Sequence, residues 1–124
     1  MPVPTTIKLH KASRTLELGY SDDQTFQLPA EYLRVMSPSA EVRGHGRPVL
    51  QTGKLHVALV NVEAAGRYAL KLTFDDGHDS GLYTWDYLFQ LGSEYPQRWQ
   101  EYLDQLTASG ASRDPEVSVV RFTP

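Results

Sequence analysis

The sequence predicts an α+β fold: a mostly antiparallel β-sheet with two C-terminal helices packed on one of its faces. Through most of the chain up to Phe74, apolar residues alternate with polar ones, which is the period of a half-buried strand. After Leu82 the apolar residues recur three and four apart, the period of a helix lying on a core. Alternating strands need a covering layer, and the aromatic-rich segments around Trp85 and Trp99 are the only stretches apolar enough to supply it.

Each element has its own local signal. In TTIKLHKASRTLELGY, Ile7 and Leu9, then Leu16 and Leu18, alternate on either side of a KASR turn, as in a β-hairpin; QTFQL extends the pattern through Phe26 and Leu28. LPAEYLRVMSP offers Pro29 as a first helical residue and stops before Pro38, which predicts a short connector helix. From Pro38 to Gly53 glycine and proline are frequent and periodicity is lost, so this segment reads as a long surface loop. A strand follows around Leu59 to Glu63, then a turn at Gly66, then a strand in which Tyr68, Leu70, Leu72 and Phe74 alternate with Ala69, Lys71 and Thr73. The Trp85 helix should stop at Gly92, and a second helix, striped by Trp99, Tyr102, Leu103 and Leu106, should stop at Gly110. Phe74, Leu70, Leu72, Trp85, Leu88, Trp99 and Leu103 form the expected core. The tail either adds an edge strand, with Val117 and Val119 on one face and Val120 and Phe122 on the other, or trails.

Composition bounds the function. A chain of 124 residues with 40% hydrophobic content suits one domain, with a core over about 7–106 and a tail over 110–124. The formal charge is −3 and the 12 Lys and Arg are scattered, so there is no basic field to draw nucleic acid. No window approaches the roughly 20 apolar residues that span a bilayer, and MPVPTTIKLH lacks the apolar core of a signal peptide; the expected setting is cytoplasmic, with no membrane partner. The absence of cysteine excludes disulfides, thiolate metal sites and cysteine nucleophiles. A monomer is the working expectation.

The chemistry-bearing residues crowd into FDDGHDSG, where Asp75, Asp76 and Asp79 surround His78. In one reading the segment is a corner: Asp76 and Gly77 make the turn, Asp79 or Ser80 caps the Trp85 helix, and His78 makes a structural hydrogen bond. In the other, His78, Asp76 and Asp79 hold iron or zinc, with Asp75 and Glu41 as further oxygen donors. Neighbouring residues complete neither a four-ligand zinc set nor a two-His-one-carboxylate triad. Ser80 beside His78 lacks a nucleophile elbow, and the sequence contains no G-x-S-x-G, P-loop or dinucleotide fingerprint. His10 and His56 read as ordinary histidines. His45 lies with Arg43 and Arg47 in the glycine-rich loop, a candidate for recognising a partner.

LPAEYLRVMSPSAEV followed by LVNVEAAGRYALKLTFDDGHDSGLYTWDYL resembles the gamma-butyrobetaine hydroxylase-like N-terminal domain family, over about Ile7 to Leu106. The resemblance is to a stand-alone, bacterial-type member of this former domain of unknown function. In the carnitine-biosynthesis dioxygenases such a domain precedes the catalytic β-helix and holds a structural zinc through three cysteines and one histidine; elsewhere it is joined to a P-loop ATPase of the iron–sulfur carrier type. Against the motif R-x-x-C-P-C-x-x-C, this chain keeps Arg34 and Pro38 but has Ser37, Ser39 and Val42 at the cysteine positions, with His78 at the fourth. Neutral hydroxyls are poor zinc ligands and an isopropyl group is none. The resemblance therefore implies a vestigial zinc site and no cofactor, the alternative being zinc or iron at His78.

The dioxygenase catalytic residues lie in a domain absent from this sequence, so hydroxylase activity is not implied. The expectation is a non-catalytic binding or adaptor domain acting on protein partners. The fused relatives imply iron–sulfur carrier or iron-enzyme components as those partners. The alternative is a small metal-dependent protein or enzyme built on the His78 cluster.

Overall fold

A computed structural model describes residues 2–44 and 48–117. The fold is α+β, as its periodicities predict, and the strands divide into two antiparallel three-stranded sheets. The first is a meander of β1 (Thr6–His10), β2 (Thr15–Gly19) and β3 (Thr25–Pro29). Its register pairs Leu9 with Leu16 and Leu16 with Leu28, so the alternate apolar positions share one face. After α1 (Ala30–Val35) and α2 (Ala40–Arg43), the second sheet is built from β4 (Leu59–Ala65), β5 (Ala69–Phe74) and β6 (Leu82–Thr84). The chain then forms α3 (Trp85–Ser93) and α4 (Tyr95–Ser109).

The main core lies between the sheets, α1 and α3. Leu16 and Leu18 from β2, Leu70, Leu72 and Phe74 from β5, and Trp85, Leu88 and Leu91 from α3 are all buried there. α1 has no solvent-facing side, because every one of its residues is buried. Its tyrosine is tied across the core, with the Tyr32 hydroxyl donating to the Leu91 carbonyl at 2.8 Å. Trp99 is only half-buried, and Leu103 packs on a smaller cluster of Val35, Tyr102 and Leu106. The expected single core is thus two, because α4 reaches past the sheet to cover the outer side of α1.

Three boundaries differ from the sequence reading. Pro29 is the N-cap of α1, not its first residue. Tyr68 precedes β5 and is exposed, so that strand begins one residue later. Gly92 lies inside α3; a Cβ there would come within 2.3 Å of the Phe26 ring, so glycine serves close packing of helix on sheet at that position rather than a helix stop.

The segment after α4 is pinned by Arg113. Its guanidinium donates to both Glu31 oxygens at 2.7 and 2.6 Å and lies over the Trp99 ring, 5.1 Å from its centroid. The positions considered for an edge strand, Val119, Val120 and Phe122, lie outside the described residues. Among the described residues, no helix is long and apolar enough to cross a membrane.

Candidate functional site

Two regions gather the residues singled out above: a polar corner at His78 and a groove along α4. At the corner, β5 ends in a tight turn that Gly77 makes possible, with φ at +87°. The Gly77 N–H donates to the Phe74 carbonyl at 3.1 Å, and the Phe74 N–H donates to the His78 carbonyl at 3.0 Å. The Asp76 carboxylate caps the turn from below, accepting from the His78 N–H at 3.1 Å, Arg34 Nε at 2.8 Å and Lys54 Nζ at 2.9 Å. Burial alone would raise the pKa of Asp76, but these donors outweigh it and bring the pKa down to about 2. Arg34, kept from the zinc motif, therefore works here as the cation that holds the corner to α1.

His78 turns inward and is buried. Its Nε2 lies 2.8 Å from Ser37 Oγ and 3.3 Å from Ser39 Oγ, while Nδ1 lies 3.3 Å from Glu41 Oε2. Ser37 Oγ accepts the Ser39 N–H at 3.3 Å, which leaves its own proton to donate to Nε2. The network is thus consistent with a neutral imidazole bearing its proton on Nδ1, toward Glu41. Burial, then the nearby Arg34 charge, lowers the His78 pKa, and the carboxylates of Glu41 and Asp76 oppose that only in part.

Serine, histidine and glutamate in this order have the spacing of a hydrolytic triad, but the hydroxyl is sealed. Ser37 is 1% exposed, and the Gly81 backbone lies against it so closely that a Cβ on Gly81 would sit 2.6 Å from Ser37 Oγ. A carbonyl substrate has no approach to that oxygen.

The three residues expected to hold a metal, His78, Asp76 and Asp79, are directed to different partners. Asp76 is spent on Arg34 and Lys54, and Asp79 is exposed, with Lys71 3.9 Å away as its ion partner. Asp75 accepts the Ala58 N–H at 3.0 Å. Among the described residues, no three His, Asp or Glu side chains gather where one ion could touch them all. The quartet of Ser37, Ser39, Val42 and His78 does not fit zinc either: it offers one imidazole nitrogen, two neutral hydroxyls and a buried alkyl group. The helix cap also differs from expectation, since β6 intervenes and Thr84, not Asp79 or Ser80, caps α3 by accepting the Tyr87 N–H at 3.2 Å.

The long loop is not free either. It contains α2, and the Val49 N–H donates to the Val42 carbonyl at 2.7 Å. Gln51 is held at both ends, its carbonyl by the Tyr102 hydroxyl at 2.8 Å and its side chain by Arg34 at 3.2 Å. Residues 48–51 thereby become one wall of a groove of about 640 Å³ whose other wall is α4. Val35, Met36, Val42, Leu50 and Tyr102 give it an apolar lining, and Glu94, Arg98 and Glu101 stand along the helical side. Next to it, Arg43 lies over the Tyr87 ring at 5.1 Å from the centroid, and Arg98 lies over the same ring at 5.8 Å. His45 and Arg47 lie outside the described residues. His10 pairs with Glu17 across β1 and β2 at 3.0 Å.

Sequence reasoning missed Arg98, Tyr102 and Val49 as groove residues. The available signals were the Glu94–Arg98 spacing of four and the adjacent apolar pair Val49–Leu50 in an otherwise mostly polar loop.

With this fold and site the chain belongs to the gamma-butyrobetaine hydroxylase-like, N-terminal family, whose profile matches residues 7–89. Two proteins of solved NMR structure are similar to it along its whole length. One is 61% identical with a TM-score of 0.85, covering 100% of this chain and 99% of its own. The other is 46% identical with a TM-score of 0.80, covering 100% and 95%. A crystal structure of a protein with unknown function from Acidithiobacillus ferrooxidans, assigned to the DUF971 family, is 40% identical with a TM-score of 0.63 over 73% of this chain and 93% of that one. No curated protein gives a significant match.

Proposed function

We propose that this domain is a non-catalytic binding module that docks a protein partner in the groove between α4 and residues 48–51. The observation that supports this reading is the division of labour between the two regions. At the His78 corner the side chains of Ser37, Ser39, His78, Arg34 and Asp76 all have partners inside the fold, whereas at the groove Val49, Leu50, Arg98 and Glu101 are at least partly open to solvent. The partner class we favour is iron–sulfur carrier or iron-enzyme components, because related domains occur fused to such carriers.

The test is site-specific photo-crosslinking in cells, from Val49 and Gln105 in the groove and from Glu63 on the far sheet. Discrete adducts from the two groove positions and none from Glu63 are expected. Equal labelling from Glu63, or no adduct from either groove position, overturns the reading.

A further inference from the structure

We infer that the groove's occupant is a peptide segment carrying a carboxylate beside apolar side chains, and that the carboxylate is read by Arg43 and Arg98 over Tyr87. This rests on the docking reading above and adds the chemistry of the partner. Tyr87 cannot shift easily, because its hydroxyl donates to the Met36 carbonyl at 2.6 Å. It therefore presents one fixed aromatic face system to two guanidinium groups, at 5.1 and 5.8 Å. Like charges sharing one ring repel unless an anion sits between them. Glu94 answers one of them, with its Oε1 3.2 Å from Arg98 Nε. Among the described residues no carboxylate pairs with Arg43, so the surface beside the groove, next to Val42 and Arg98 of its lining, carries one uncompensated positive charge.

The other acid on the helical wall, Glu101, lies nearly two turns beyond Glu94 and accepts from Gln97 at 3.2 Å, so it does not neutralise Arg43. A guanidinium stacked on an aromatic ring has its planar fork held ready for a carboxylate, which makes arginine rather than lysine suited to the task. The apolar lining of Val35, Met36, Leu50 and Tyr102 next to that fork asks for apolar side chains adjacent to the acid.

The probe is a set of three synthetic peptides with the same four-residue Leu/Val core, ended by two glutamates, two glutamines or two lysines. Each is titrated into the isotope-labelled domain and followed by amide and arginine side-chain shifts. The glutamate peptide should perturb Arg43, Arg98, Val49 and Tyr102 together and bind at least tenfold more tightly than the other two. Arg43→Gln should remove most of that preference while leaving the spectrum of the fold intact. If the glutamine or lysine peptide binds the groove as tightly, or if Arg43→Gln changes nothing, the carboxylate assignment is overturned while groove docking stands. If no peptide perturbs the groove, the inference is overturned; the docking reading then falls only if the groove crosslinks also fail.

Discussion

The His78 corner and the α4 groove both border the C-terminal end of α1 and α2, where Arg34 touches Asp76 of one and Gln51 of the other, yet they treat polar groups in opposite ways. At the corner, two serine hydroxyls, an imidazole, a guanidinium and a carboxylate satisfy one another beneath the Gly81 backbone. In the groove, arginines and glutamates stand at the rim of an apolar floor with one charge left over. In the proposed reading the cluster richest in reactive groups holds the fold, and the plainer surface is the one offered to a partner. Buried polar networks are costly when incomplete, so a complete one is a structural device before it is a chemical one.

If that contrast is right, substitutions at the corner should cost stability and substitutions in the groove should not. The largest effect is expected from His78→Ala, which opens a cavity and strips the hydroxyls of Ser37 and Ser39 of their common partner. A loss on the order of 3 kcal/mol in chemical denaturation is predicted. An unchanged denaturation midpoint would place His78 outside the clasp.

The same contrast fixes a pH dependence. Asp76 has a folded pKa of about 2 against an ordinary 3.8, so its stabilisation is fully present above the ordinary value and is lost as pH falls through the folded one. Discounted for solvent screening at this partly exposed carboxylate, that shift is worth about 1 kcal/mol, disappearing between roughly pH 4 and pH 2. His78 acts in the same direction at higher pH. Its folded pKa is below the ordinary 6.5, so the unfolded chain binds the proton first and stability begins to fall as pH drops below that value. Asn in place of Asp76 should flatten the acid limb of the stability curve; an unaltered limb would show that the Arg34–Asp76 pair contributes nothing.

Gly81→Ala should cost on the order of 1–2 kcal/mol, because the new methyl would press on Ser37 Oγ and Pro38. A combination with Ser37→Ala should recover part of the loss, and full additivity of the two would argue against direct contact. Smallest of all, Val49→Ser and Gln105→Ala on the groove walls should stay within about 0.5 kcal/mol of the parent. A larger drop would mean that the groove is a packing interface rather than a docking surface.

The elements were legible in the sequence wherever one period persisted, as in Leu70–Leu72–Phe74 on β5 or Trp99–Tyr102–Leu106 on α4. They were less legible where a glycine carried two meanings. Gly92 reads as a helix stop, yet its role comes from Phe26, a contact spanning most of the domain that local pattern cannot reveal. The same limit explains the site. The family motif brought Ser37, Ser39 and His78 into view together, but nothing local told that Asp76 belongs to Arg34 and Lys54, or that Asp79 points to solvent. The groove was invisible for a related reason: its walls come from a loop and a helix that become neighbours through long-range contacts, Tyr102 with Gln51 and Leu50 with the Tyr102–Leu106 cluster.

We propose that the corner is a clasp that needs no metal, at the positions where the family resemblance implies zinc ligands, and zinc titration of two proteins tests this most directly. Thermal unfolding and metal content are measured for the wild type and for Ser37→Cys/Ser39→Cys/Val42→Cys, each with and without one equivalent of zinc. The triple variant should bind one zinc through its new thiolates and His78, and its melting temperature should rise, because metal held only by the folded state stabilises that state. The wild type should show neither binding nor shift. Tight, stoichiometric zinc or iron binding by the wild type that is abolished by His78→Ala would contradict the account.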